Sequence, residues 1–319
     1  MRLDKASFFK KPLVVFLIAM LCCALWGSAF PCVKLGMQML GITSDRSADQ
    51  IVFAGMRFTL AGILVIVFGS LIQRRPLIPR RSDMGMIAKL SFFQTIGQYF
   101  FYYIGLAHAK GVNATIASST SRFFIILTAC LVFRIDKLTG KKIVGCLMGF
   151  AGVLLITLTG GEISADITFI GEGLIIISAF SAAISSCLSK IYSRDVDPVL
   201  LCGCQFFLGG LVLFAGGLLF GGTIAPFDLK SSAMLLYLAL ISSVAYTLWT
   251  VLLKYNEVCK VTIYGFMNQV FGLVLSVLIL KESNALSINH LYALIIISAA
   301  IILVNGEGKE KVPKKQASC

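Results

Sequence analysis

Arg122 asks more of its surroundings than any other residue in this chain. It ends the polar stretch Ser118-Ser119-Thr120-Ser121-Arg122, near the middle of an apolar run over 112–133. An arginine at mid-bilayer costs about 2.5–3.5 kcal/mol on insertion scales, so it must face an aqueous cavity or a partner. No aspartate or glutamate lies deep in any apolar run; Glu172 and Glu282 fall near run ends. A carboxylate or phosphate on a solute is one natural partner. The alternative is a guanidinium that bonds helix carbonyls and fixes packing.

Other polar side chains extend the pattern. Gln94, Gln98 and Tyr102 recur every four residues and therefore share a helix face. Amides left unpaired in hydrocarbon are costly, so this face must meet protein or water. It suits an amino or hydroxy acid, or it joins helices by polar contacts. The candidate solute-binding residues are Arg122, Gln269, Gln98, Gln94, Tyr102, Trp26, Trp249 and Asn268. Tyr99, Tyr246 and Tyr264 read instead as an interfacial aromatic belt. Arg57, the second arginine inside an apolar run, reads as structural: it snorkels or ties helices together.

The elements that must hold these residues follow from composition. The 319 residues are 58% hydrophobic and 13% charged, with mean hydropathy +0.90. Soluble domains are roughly 45–50% apolar and about 25% charged, so the solvent for most of this exterior must be lipid. A spanning helix needs about 20 mostly apolar residues. That rule predicts runs near 12–34, 51–72, 84–106, 112–133, 142–159, 168–189, 200–220, 232–253, 261–280 and 288–304. The first is too long for a signal-peptide core and lacks a small-residue cleavage site, so it stays as a span.

The net charge of +13 does not point to nucleic acid, because the basic residues sit in short clusters between the runs. Assigned to alternate sides, only Lys34, Arg46, Lys110, Lys230 and Lys281 of the 28 Lys and Arg fall opposite the N-terminus. Arg57 and Arg122 lie within runs. Positive residues stay cytoplasmic, which predicts both termini inside and an even number of spans. Cysteines within apolar runs behave as small hydrophobes, and Cys202-Gly203-Cys204 is too isolated for a metal or redox site. Gly145, Gly149 and Gly152, with Gly209-Gly210, Gly216-Gly217 and Gly221-Gly222, read as close helix contacts. Pro31 bends the first span, either as a gating hinge or as a fixed kink.

An internal repeat accompanies the spans. At a constant offset Thr115-Ile116 falls on Thr262-Ile263, Phe124 on Phe271, Tyr99 on Tyr246, Tyr102 on Trp249 and Ser121-Arg122 on Asn268-Gln269. Halves of five spans each must insert in opposite senses, as in many secondary transporters.

Trp26-Gly27-Ser28-Ala29-Phe30 with Lys34 resembles the first-helix signature of the drug/metabolite transporter (DMT) superfamily, EamA type. Arg57-Phe58 with Ala61 is similar to its second-helix pattern. Asp197-Pro198, Leu252-Leu253-Lys254-Tyr255-Asn256, Val270-Phe271-Gly272 and Leu280-Lys281-Glu282 are similar to the second repeat. The resemblance implies an all-α integral membrane protein of about ten transmembrane helices in a 5+5 inverted repeat. One EamA-like five-helix repeat is expected over 1–160, another over 161–306, and a cytoplasmic tail over 307–319. It further implies a transporter, often an exporter of amino acids or related metabolites. The chain departs from the family where the fourth and ninth helices usually carry a proline; here Arg122 and Gln269 stand instead.

The expectation is therefore a secondary transporter of a small organic solute in the cell (cytoplasmic) membrane. It needs a lipid bilayer, no cofactor, no metal and no nucleic acid. The sequence leaves two drives open: a facilitator without coupling, or coupling to an ion such as a proton through Glu172 or Glu282. The competing readings are a membrane-embedded transferase, which needs clustered His, Asp or Glu, and a non-transporting receptor, which needs a larger loop.

Overall fold

A computed structural model describes residues 5–43, 45–109, 111–159, 168–224, 226–280 and 288–306. All regular structure among them is helical. After a single turn over Lys5–Phe9, α1 runs over Pro12–Met39 and α2 over Ser47–Gln73. The third helix, α3, has three consecutive parts: Met84–Ser91, a π-helical turn Phe92–Gly97, and Gln98–His108. α4 comprises Gly111–Ser119, Ser121–Leu127 and a π-helical end Thr128–Val132. α5 is Gly140–Thr159, and α6 opens with the π-helical Phe169–Gly173 before Leu174–Tyr192. α7 is Pro198–Leu219 and α8 is Leu229–Tyr255. α9 starts as Val258–Thr262, tightens to a 3₁₀ turn over Ile263–Phe266 and continues as Met267–Leu280. α10 is Ile288–Asn305.

Local chemistry sets several of these ends. Pro12 and Pro198 stand at helix starts, where the absent N–H would have no intrahelical partner. Asp197 accepts from the N–H groups of Val199 and Leu200 at 2.9 and 3.3 Å. Asp228 and Ser231 form a reciprocal capping box at the start of α8. Pro31 sits inside α1, which runs on to Met39, five residues past its expected end.

Nine described helices are long and apolar enough to cross a membrane, and the chain is a multi-pass membrane protein. The third expected run is helical throughout but does not meet that measure. Gln94, Gln98, Tyr99, Tyr102 and Tyr103 make it more polar because it turns one face into the protein. Outward-facing side chains such as Leu17, Phe68, Ile72, Leu219 and Ile302 are 51–86% exposed, as lipid contact requires.

Helix α2 packs on α7, and α5 packs on α10. α1 lies against α8 and α9, while α6 lies against α3 and α4. This pattern is unchanged when every helix is exchanged with the one five places away. Glycine makes the two pairings possible. A Cβ on Gly210 would strike the backbone of Thr59, and one on Gly55 the backbone of Phe214. On the other pair, Gly145 and Gly152 meet Val304 and Ile297 of α10, while Gly149 meets the ring of Phe266. The expected glycine contacts therefore form at Gly145, Gly149, Gly152, Gly209, Gly210, Gly217 and Gly222. Gly216 and Gly221 differ: neither has a neighbour within 4 Å of a built Cβ.

Candidate functional site

A cavity of about 820 Å³ runs down the middle of the bundle. Its wall draws on α1, α2, α3, α4, α6, α8 and α9, and takes nothing from the described residues of α5, α7 and α10. All eight sequence candidates line it: Trp26, Gln94, Gln98, Tyr102, Arg122, Trp249, Asn268 and Gln269. Such a volume falls within the usual range of small-molecule sites, about 300–1,000 Å³.

Arg122 lies where α4 crosses α9. Its Nη1 donates to Ser121 Oγ at 2.6 Å and its Nη2 to the carbonyl of Gly265 at 3.2 Å. Gly265 belongs to the 3₁₀ turn of α9, and a Cβ there would sit 2.6 Å from Arg122 Nε. The guanidinium thus rests on bare backbone, and both of its bonds go to neutral acceptors.

The π-helical turn in α3 delivers the two glutamines. Such a turn disturbs the regular backbone ladder and exposes carbonyls to other partners. Ser181 donates to the carbonyl of Phe93 at 2.7 Å and Ser178 to that of Gln98 at 2.6 Å. Ser189 reaches the side-chain oxygen of Gln94 at 3.4 Å. Serines of α6 therefore fasten the irregular part of α3, and Gln94, Gln98 and Tyr102 all face the cavity despite the wider turn.

The aromatic part of the wall is larger than expected. Trp26 makes edge-on contacts with Tyr246 and Trp249, both with ring centroids 5.0 Å apart. Tyr99 and Tyr246, read from sequence as interfacial, also line the cavity, and their hydroxyls are 2.7 Å apart. Tyr264 is not in the wall; it packs in the core, edge-on to Phe16. Two buried polar atoms of the wall lack a hydrogen-bond partner among the described residues: the indole nitrogen of Trp26 and the side-chain oxygen of Asn268.

Arg57 also lines the cavity, although the sequence reading gave it a purely structural role. It is 4% exposed, donates Nε to Ser242 Oγ at 3.1 Å and lies 5.1 Å from the Phe58 ring centre. Its charge within an apolar run was the signal available in the sequence. Lys34 lines the rim and is exposed. Among the described wall residues there is no aspartate or glutamate to balance these cations. Glu172 lies outside the wall and accepts from the N–H of Thr168 at 3.0 Å. Glu282 is outside the described residues.

The ends of the cavity differ. At one end the wall reaches exposed Lys34, Gln38 and Thr43, where α1 passes to α2. At the end nearer the N-terminus it stops at buried Ser189 and Leu253. A polar seal adjoins them. Asp136 accepts from the N–H of Cys259 at 2.8 Å. Lys142, 2% exposed, pairs with Glu257 at 2.9 Å, and Lys260 pairs with the same carboxylate at 3.0 Å. Lys190 donates to the carbonyls of Asn256 and Lys254 at 2.6 and 3.2 Å. Burial would raise the pKa of Glu257, but the Lys142 and Lys260 ammoniums outweigh that and hold it below the usual carboxylate value.

The sequence model of the EamA-like transporter family matches residues 13–158 and again 169–306. An uncharacterized transporter of Archaeoglobus fulgidus is 26% identical over 262 residues, 81% of this chain and 86% of that protein. The uncharacterized transporter YvbV of Bacillus subtilis is 24% identical, covering 93% and 92% of the two chains. The uncharacterized inner membrane transporter YedA of Escherichia coli is 26% identical, covering 91% and 90%. A solved crystal structure shares the fold at a TM-score of 0.76 with 18% identity, over 92% of this chain and 97% of its own. With nearly the whole chain matched, this protein belongs to the EamA-like transporter family and is a membrane transporter.

Proposed function

We propose that the chain is a secondary transporter that moves a small organic anion or zwitterion, such as an amino acid or a related carboxylate, by alternating access. One observation carries this reading. Arg57 and Arg122 enter the same aromatic and amide-lined cavity, and no described wall residue supplies a counter-charge. A solute carboxylate can take bidentate bonds from a guanidinium. Trp26 Nε1 and Asn268 Oδ1 offer a further donor and acceptor, the latter suited to an ammonium group.

The moving parts are two five-helix repeats, over 1–160 and 161–306, inserted in opposite senses, with 307–319 as a cytoplasmic tail. Support comes from the double family match and from a packing pattern that survives exchange of the halves. The lysine and arginine bias places both termini in the cytoplasm of a cell whose plasma membrane holds the protein. On that orientation the end at Thr43 faces outward, the seal at Glu257 faces inward, and the structure is an outward-facing state.

The test uses the purified full chain with L-glutamate, L-phenylalanine, succinate and, as a cationic contrast, putrescine. Anions and zwitterions should raise thermal stability in detergent and enter proteoliposomes. Accumulation no greater than in protein-free vesicles, or a preference for putrescine, would sink the reading.

A further inference from the structure

We infer that this transporter is an obligate anion exchanger, its cavity crossing the membrane only when an anion fills it. The inference rests on the proposed transport reading and concerns the return step of the cycle. Alternating access requires the cavity to be closed from water at both ends for part of each turn. Lys34 lies at the exposed rim and can keep its charge in water. Arg57 and Arg122 lie deeper and would lose their water on closure: Arg57 is 4% exposed, and Arg122 is half-buried within α4 beside buried Ser121.

The described partners of both guanidiniums are neutral. Arg57 donates to a serine hydroxyl, and Arg122 to a serine hydroxyl and a backbone carbonyl. Among the described residues neither arginine takes part in an ion pair, and no aspartate or glutamate lines the wall. While the cavity is open, water and solvent anions screen the two charges. Closing it empty would leave two like charges desolvated without compensation, a heavily penalised state. A bound organic anion offsets at least one of the two charges and lowers that penalty in either direction. The loaded form can therefore reorient, and the empty form is held where it is. An anion delivered to one side must be replaced by another before the carrier returns. Nothing covalent occurs: one bound anion leaves as a second enters.

The measurement is influx of radiolabelled L-glutamate or succinate into proteoliposomes holding the full chain. Valinomycin and symmetric potassium clamp the potential, so charge build-up cannot mimic exchange. Internal loads are the same unlabelled anion, phosphate, or chloride. The expected result is influx at least about tenfold faster with the organic anion inside than with chloride. Equal influx under chloride and organic loads overturns exchange and leaves transport standing. Equal influx under phosphate and organic loads overturns the organic counter-anion. No influx of either probe under any load overturns the transport reading as well.

Arg57→Gln supplies a second test. Removing one uncompensated charge should make empty return easier, reducing the ratio of loaded to chloride influx at least threefold. An unchanged ratio in a folded variant would detach exchange from the arginine pair. The wild-type comparison stands without the variant.

Discussion

The hydroxyls of Tyr99 on α3 and Tyr246 on α8 meet at 2.7 Å, and the two residues are 147 positions apart in the chain. That is the offset at which the second half of the sequence falls on the first. On the proposed inverted repeat, corresponding residues that touch each other lie where the two halves meet. A buried hydroxyl pair contributes about 1 kcal/mol. Tyr99→Phe and Tyr246→Phe should each lower stability in detergent, and the double variant should cost clearly less than the sum. Additive losses in the thermal midpoint would show that the hydroxyls do not depend on each other.

Arg122→Gln should cut transport of an anionic solute at least tenfold, mainly through a higher KM, because a charge-assisted contact is lost. Its thermal midpoint should hold or rise, since no ion pair is broken. Gly265→Ala tests placement rather than charge. Its methyl group would occupy the space of the guanidinium, so a similar KM increase is expected with Arg122 still present. Wild-type KM in Gly265→Ala would mean the guanidinium moves aside without consequence.

The seal at Glu257 should respond to acid. Its pKa is held below the usual carboxylate value, so the stability it adds is present above about pH 4.5 and is lost as pH falls through the lower folded value. Protonation leaves buried Lys142 without its anionic partner. The thermal midpoint should drop over that interval, and Glu257→Gln should flatten this part of the profile. Identical profiles for both proteins would exclude Glu257 as the source.

Gly210→Leu should be among the most disruptive single changes outside the cavity. Its side chain would strike the backbone of Thr59, and overpacking typically costs about 1–3 kcal/mol. Gly216→Leu, further along α7 where a built Cβ has nothing within 4 Å, should be tolerated. Yield and thermal midpoint in detergent give the comparison.

Opposed insertion of the halves predicts opposite exposure of two connections. A cysteine at Arg80, between α2 and α3, should react with impermeant reagents only from the cytoplasmic side. One at Asp228, before α8, should react only from outside. Labelling of both from one compartment would end the inverted-repeat proposal.

Much of this architecture was legible in the sequence because lipid restricts spanning elements to long apolar helices. The arginine, glutamines and tryptophans of the wall stood out because polar groups in such runs need a reason. The charge of Arg57 is visible in the sequence, but only the fold shows that α2 turns it into the cavity wall that Tyr99 and Tyr246 also line. The tyrosines were missed because an aromatic near a span end has the same sequence signature at a lipid interface as at a buried contact. Gly265 carries no charge or pattern; its role exists only because α9 tightens to a 3₁₀ turn beside Arg122. The π-helical turn of α3 was invisible for a similar reason, since its serine partners lie on α6.

The glycine-lined pairings of α2 with α7 and α5 with α10 have a consequence for how such a protein can change. Helices α5, α7 and α10 pack through these close glycine contacts and place no described residue in the cavity wall. Side chains around the cavity can then be exchanged for others without disturbing that scaffold. Recognition and rigidity are thus assigned to largely separate helices, and a new cargo asks only for a new lining.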